Sequence, residues 1–181
     1  MTSRTSFPSL AAGMLIGALA MFVGLAQAGK LAPDRPEAVV ALAQLLDAEH
    51  RRVDLMLEHD DVAGAIAALE SLRNERWPTL DEGGEVAVEL RHDAYGRLVR
   101  LRLDYPDVDP QSSDVLLETL DEGLGDDASE LETNPFTARL TAMRGEVFEL
   151  LDRDDDALSA YESALEMNRV LLERELTGGS P

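Results

Sequence analysis

"ARLTAMRGEVFELLDRDDDALSAYESALEMN", residues 138–168, decides how this chain folds. Its acidic centre is either a metal loop or the turn between two packed helices. Asp152, Asp154 and Asp156 alternate as oxygen ligands do at the start of a calcium loop. Such a loop also needs a glycine at its sixth place and a bidentate glutamate at its twelfth. Those places hold Ala157 and Ser163, so the run reads as a turn. The flanking residues agree. Gly145, Ala157 and Ala164 are small enough for two helix backbones to approach closely, and Phe148 and Tyr161 fill the space between their ridges. The stretch is a helical hairpin.

The hairpin extends from about 136 to 176, followed by a disordered tail, 177–181. Upstream, "PEAVVALAQLLDAEHRRVDLMLE" from Pro36 places Val39, Leu42, Leu46, Val53, Met56 and Leu57 on one stripe at helical spacing. Asp60-Asp61 breaks it. A second helix carries Ala65, Ile66, Leu69 and Leu72 and stops at Trp77-Pro78, giving another hairpin with an acidic turn. Residues 79–84 read as a loop. The stretch 85–105 fits two templates. As a helix it lines up Ala87, Leu90, Ala94, Leu98, Leu101 and Tyr105. As a β-hairpin it alternates Val86, Val88 and Leu90 with Val99, Leu101 and Leu103. The helix is favoured, because a lone hairpin needs further strands. Asp109 suits an N-cap with Pro110 at the first helical position, opening a helix striped by Leu116, Leu117, Leu120 and Leu124. Residues 125–135 read as an acidic surface loop.

In order and spacing, Gly145, Phe148, Ala157, Tyr161 and Ala164 resemble the tetratricopeptide repeat over residues 138–171. A degenerate copy fits 46–79, where Val53, Met56, Ala65, Leu69 and Leu72 take the same places and "LES" at 69–71 matches "YES" at 161–163. The copies start 92 residues apart, which is not a multiple of that family's 34-residue period. The resemblance implies an all-α fold of antiparallel helical hairpins stacked as a short array, with an α fold containing one β-hairpin at 85–105 as the alternative.

The N-terminus has one charge, Arg4, before Lys30, an apolar run Leu10–Leu25, and small residues at Ala26-Gln27-Ala28. That is the layout of a secretory signal peptide, residues 1–28, leaving a helical-repeat domain at 29–176. It implies a periplasmic or secreted protein, without a stable membrane anchor once cleaved. The alternative is an inner-membrane anchor through an uncleaved 10–28. There is no cysteine, so export brings no disulfide and the core must hold unaided. Beyond residue 28, 15 Lys and Arg against 36 Asp and Glu leave a charge of −21. Such acidity disfavours nucleic acid and anionic membrane surfaces.

No nucleophile–base constellation is visible, so the chain reads as a non-enzyme, without a cofactor. His50, Asp54 and Glu58, with Asp47, fall four apart on one helix face and could ligate a divalent cation. A solvated charged face with Arg51 and Arg52 alongside is the simpler reading, and no metal is assigned. Asp107, Asp109, Gln111 and Glu118 form a second calcium-like string, but Ser112 stands in the glycine's place. In the family that this chain resembles, the first helix of each repeat lines a groove that grips partner peptides. By position that implies a partner-binding face of Asp47, His50, Asp54, Leu57 and Glu58, with Arg139, Ala142, Glu146, Glu149 and Leu150. A basic or amphipathic segment of a protein partner would suit it. The expected function is an exported interaction module, an adaptor or assembly factor. Divalent-cation binding and structural self-association are the alternatives.

Overall fold

Side-chain caps at Asp61, Thr79, Ser112 and Asn134 set where four of the described helices begin. The computed structural model describes residues 36–125 and 133–178. These form α1 Pro36–Glu58, α2 Val62–Arg73, α3 Leu80–Asp104, α4 Ser113–Leu124, α5 Pro135–Leu150 and α6 Asp154–Leu176. No strand occurs among them, so the fold is all-α. The signal peptide or anchor at 1–28, most of the 125–135 loop and the last three residues lie outside the described residues.

The two acidic turns are the same turn. Asp60 and Asp152, 92 residues apart, both adopt left-handed backbone, with φ 60 and φ 55. In each, the left-handed residue donates to a carbonyl three back, Asp60 N to Leu57 O and Asp152 N to Glu149 O, both at 3.1 Å. The next residue donates five back, Asp61 N to Met56 O at 2.8 Å and Arg153 N to Phe148 O at 3.0 Å. This pair of bonds closes a helix C-terminus, with aspartate where glycine is usual. Asp61 then caps α2 by accepting from Gly64 N at 3.0 Å. Asp154, Asp155 and Asp156 occupy the first turn of α6, where the helix dipole favours anions.

The stretch 85–105 is helical, which excludes the β-hairpin. Ala94, Leu98 and Leu101 enter one core with residues of α1 and α2, a 3.6-residue match that strand alternation would split between two faces. Residues 79–84 are not a loop. Thr79 and Glu82 form a reciprocal capping box that starts α3 at Leu80. Gly84, at φ 66 and ψ −172, then kinks the axis in a conformation that only glycine adopts easily. Nor does α2 reach Trp77. Asn74 Nδ2 takes the Glu70 carbonyl at 2.9 Å and ends the helix there. Trp77 instead sets its ring edge-on to Tyr95 at 6.3 Å. Asp109 is not the cap of α4. Ser112 accepts from Val115 N, and Asp109 accepts from Arg102 Nε at 2.9 Å. Arg102 is buried and also faces Glu70 at 3.0 Å, and a buried guanidinium requires such anions.

Each helix packs on the next in sequence, while α1, α3 and α5 also pack side by side. The result is three stacked hairpins, α1/α2, α3/α4 and α5/α6. Two apolar clusters hold them. Leu46 and Val53 of α1, Ile66 and Leu69 of α2, and Leu98 of α3 centre the first. Val99 of α3, Leu116 and Leu120 of α4, and Leu140, Met143 and Val147 of α5 form the second. Adjacent residues of α3, Leu98 and Val99, thus serve different cores. A fully buried leucine such as Leu98 contributes roughly 1.5–3 kcal/mol. In the last hairpin a Cβ on Gly145 would stand 2.7 Å from the Tyr161 ring, so the close approach expected from the sequence is present. No helix among the described residues is long and apolar enough to cross a membrane.

Candidate functional site

The layer of α1, α3 and α5 is tied across by ion pairs, and α3 supplies the middle of every rung. Arg97 of α3 donates to Asp54 of α1. Asp93 lies 3.7 Å from His50 Nδ1 on one side and 3.3 Å from Arg139 Nη2 on the other. Arg100 donates to Glu146 of α5 at 2.6 Å. Gly96 makes the Arg139 rung possible, because a Cβ there would meet the guanidinium at 2.6 Å. Apart from buried His50, these groups keep part of their surface in solvent, so each pair between them stabilises by about 1 kcal/mol or less. Their consequence is order: they fix the charge pattern that the face presents.

Both sequence-derived groups therefore belong to one face, joined through α3. Asp54, Arg139 and Glu146 stand in the rungs. Asp47 is half-buried and pairs with Arg51 at 3.4 Å, while Glu58, Glu149 and Leu150 are exposed. Leu150 borders a small cleft of about 150 Å³ with Leu103 and Leu116. Leu57 and Ala142 are half-buried, and Leu57 packs on the first core. His50 is 3% exposed and lies beneath the face. Burial lowers its pKa, against the pull of Asp93, which favours the neutral ring. With His50 buried and Asp54 turned to Arg97, the possible cation set does not converge. No metal-holding group of His, Asp or Glu forms among the described residues.

Sequence reasoning placed a helix here but assigned none of its residues to the face, though their spacing carried a signal. Glu85, Glu89 and Asp93 succeed one another at four-residue intervals, the same-face spacing of a helix. Asp93, Arg97 and Arg100 are compensated. Glu89 is different: it is half-buried and pairs with no cation among the described residues. Burial, reinforced by the neighbouring Glu85 carboxylate, pushes its pKa up to about 7. The face thus contains one carboxyl that charges at neutral pH and has no counter-ion among the described residues.

A second polar node lies behind it. His92 is fully buried; its Nδ1 is 2.9 Å from Thr137 Oγ1 and its Nε2 3.4 Å from the Leu124 carbonyl. A ring protonated at Nε2 donates to that carbonyl, and the one proton of the Thr137 hydroxyl serves either His92 Nδ1 or Asn134 Oδ1, which lies 3.0 Å away. Asn134 Oδ1 caps α5 by accepting from Thr137 N at 2.8 Å. The node joins α3, the end of α4 and the start of α5. Burial brings the His92 pKa down to about 4, although the Leu124 carbonyl favours the protonated ring.

Compared with known proteins, the chain matches no family model, no curated protein and no solved structure.

Proposed function

We propose that this chain is an exported helical-repeat interaction module, similar to tetratricopeptide-repeat proteins, that binds a basic segment of a protein partner across α1, α3 and α5. The segment would lie along Glu85, Glu89 and Asp93, flanked by Asp47 and Asp54 on one side and Arg139 and Glu146 on the other. The observation that carries this reading is Glu89, a half-buried carboxyl with no cation among the described residues, beside Glu85 on a face where Asp54, Asp93, Arg97 and Arg100 are paired. A lysine or arginine brought to it would relieve both the desolvation and the repulsion from Glu85, which is a differential gain on binding. The matching hairpin turns at Asp60 and Asp152 support the repeat reading. The signal-like residues 1–28 support export to the periplasm or beyond. The chain acts here without chemistry of its own, as an adaptor or assembly factor.

The test is site-specific photo-crosslinking in the native host, with the probe at Asp47 on this face and a control probe at Ser159 on α6. A discrete partner captured from Asp47 alone, and lost when Glu89→Lys is added, is the expected result. Equal capture from both positions, or capture indifferent to Glu89→Lys, removes the reading.

A further inference from the structure

The two ends of the array carry exposed apolar residues at positions that are covered inside it. The 92-residue offset that matches the hairpin turns also matches their helices. On α5, Leu140, Met143 and Val147 are buried in the cluster shared with α3 and α4. Their counterparts on α1 are Ala48, Arg51 and Leu55, which line an open recess of about 490 Å³, and Leu55 is 56% exposed. On α2, Ile66 is buried against α3. Its counterpart on α6 is Leu158, 59% exposed, and Leu165 and Leu172 continue that stripe at seven-residue intervals, 56% and 58% exposed. Inside the array the second helix of one hairpin packs on the first helix of the next, α2 on α3 and α4 on α5. At the ends, α1 has no preceding helix and α6 has no following one among the described residues.

We propose that the two ends complete each other: α6 of one copy seats on α1 of the next, repeating the internal seam between copies. The internal seam selects this head-to-tail pairing, since α6 repeats the face of α2 and α1 repeats the face of α5, and charge agrees with it. Helix α6 carries seven acids, Asp154 to Asp156, Glu162, Glu166, Glu173 and Glu175, against Arg169 and Arg174. Two copies of α6 face to face would oppose these acids to one another. The recess of α1 is edged by Arg51 and Arg52, which pair within their own helix with Asp47 and Glu49. Seating α6 on α1 brings the acids of one helix to those arginines of the other, and leucine to leucine between them. Such an interface is heterologous, so it leaves one free end on each copy and grows with concentration.

The experiment is sedimentation of the full chain at rising concentration, at physiological ionic strength, with Leu55→Glu and Leu165→Glu as end-blocking variants. Both leucines are more than half exposed, so the fold tolerates the charges, and an unchanged thermal melt checks this. Expected is a wild-type mass that climbs beyond two copies, and monomers for each variant alone. An equimolar mixture of the variants should give a species of twice the monomer mass, because each retains the end that the other lacks. If Leu55→Glu alone still dimerises while Leu165→Glu does not, the contact is a symmetric α6 pair and the proposal fails. A wild type that stays monomeric, or association indifferent to both substitutions, as through the apolar segment 10–28, also overturns it. The groove residues are untouched by either variant, so this outcome is independent of partner binding.

Discussion

Gly145→Ala isolates the closest approach in the last hairpin. A methyl at Gly145 would stand 2.7 Å from Tyr161 Cε1, 2.8 Å from Cζ and 2.9 Å from Cδ1. Carbon atoms prefer about 3.5–4.0 Å, so the ring or the helix must withdraw by nearly an ångström. Overpacking of this kind costs about 1–3 kcal/mol. Alanine returns about 1 kcal/mol through its better helix propensity. The net is a destabilisation of about 1 kcal/mol. In a Tyr161→Ala background the obstruction is gone and only the propensity remains, so the same substitution should stabilise by up to about 1 kcal/mol. The sign reverses, and the coupling between the two sites is about 1–3 kcal/mol. Urea denaturation followed by far-ultraviolet dichroism on the four members of the cycle measures it. If Gly145→Ala stabilises with Tyr161 present, the helices are not in the contact described, and the packing argument for this hairpin is wrong.

Three further outcomes are expected. His92 has its pKa lowered to about 4 from an ordinary 6.5; its contribution is complete above pH 6.5 and is lost as pH falls toward 4, reaching roughly 3 kcal/mol by linkage. A His92→Gln variant should lack that part of the acid slope in urea titrations run between those pH values. Glu89, raised to about 7, contributes in the opposite sense. Its cost is absent below the ordinary carboxyl range, grows up to pH 7 and stays constant above, so Glu89→Gln should stabilise the free protein at pH 8 by about 1–3 kcal/mol and change little at pH 4; equal effects at both pH values would refute the unpaired carboxyl. Asp152, at φ 55, takes a conformation that glycine adopts without steric cost, so Asp152→Gly should stabilise by about 0.5–1 kcal/mol and Asp152→Val should destabilise, as read from thermal midpoints.

The outer hairpins were legible because their patterns are single-valued. The α1 stripe through Leu46 and Val53 admits only a helical period, and the bounds Pro36 and Glu58 follow from a proline start and an acidic break. The small residues Gly145, Ala157 and Ala164 likewise announced a close crossing. The middle resisted for physical reasons. Leu90 and Leu101 fit both templates, the alternating valines at 86, 88 and 99 favour strands, and the choice falls to long-range burial of Ala94 and Leu98 that no local window contains. Asp109 offers a good cap, yet the buried Arg102 claims it from a position seven residues earlier. The face was half legible. Carrying positions from one hairpin to the other selected Asp54, Arg139 and Glu146, but the residues linking them lie on the helix whose nature was undecided. His50 shares a helix face with Asp54, and only the packing of α3 against α1 shows that it is covered.

Because Leu98 and Val99 of α3 point into different cores, the array has a keystone. Loosening α1 and α2 uncovers one side of α3, and loosening α5 and α6 uncovers the other, whereas loosening α3 dissolves both cores together. Local opening is therefore graded along the chain, least costly at the terminal helices and most costly in the centre. The proposed binding face crosses that gradient at its rigid point, and the outward leucines of α6 lie at its soft end. Occupying the centre would act on a surface that is already ordered, while occupying an end would cover leucines that otherwise face solvent.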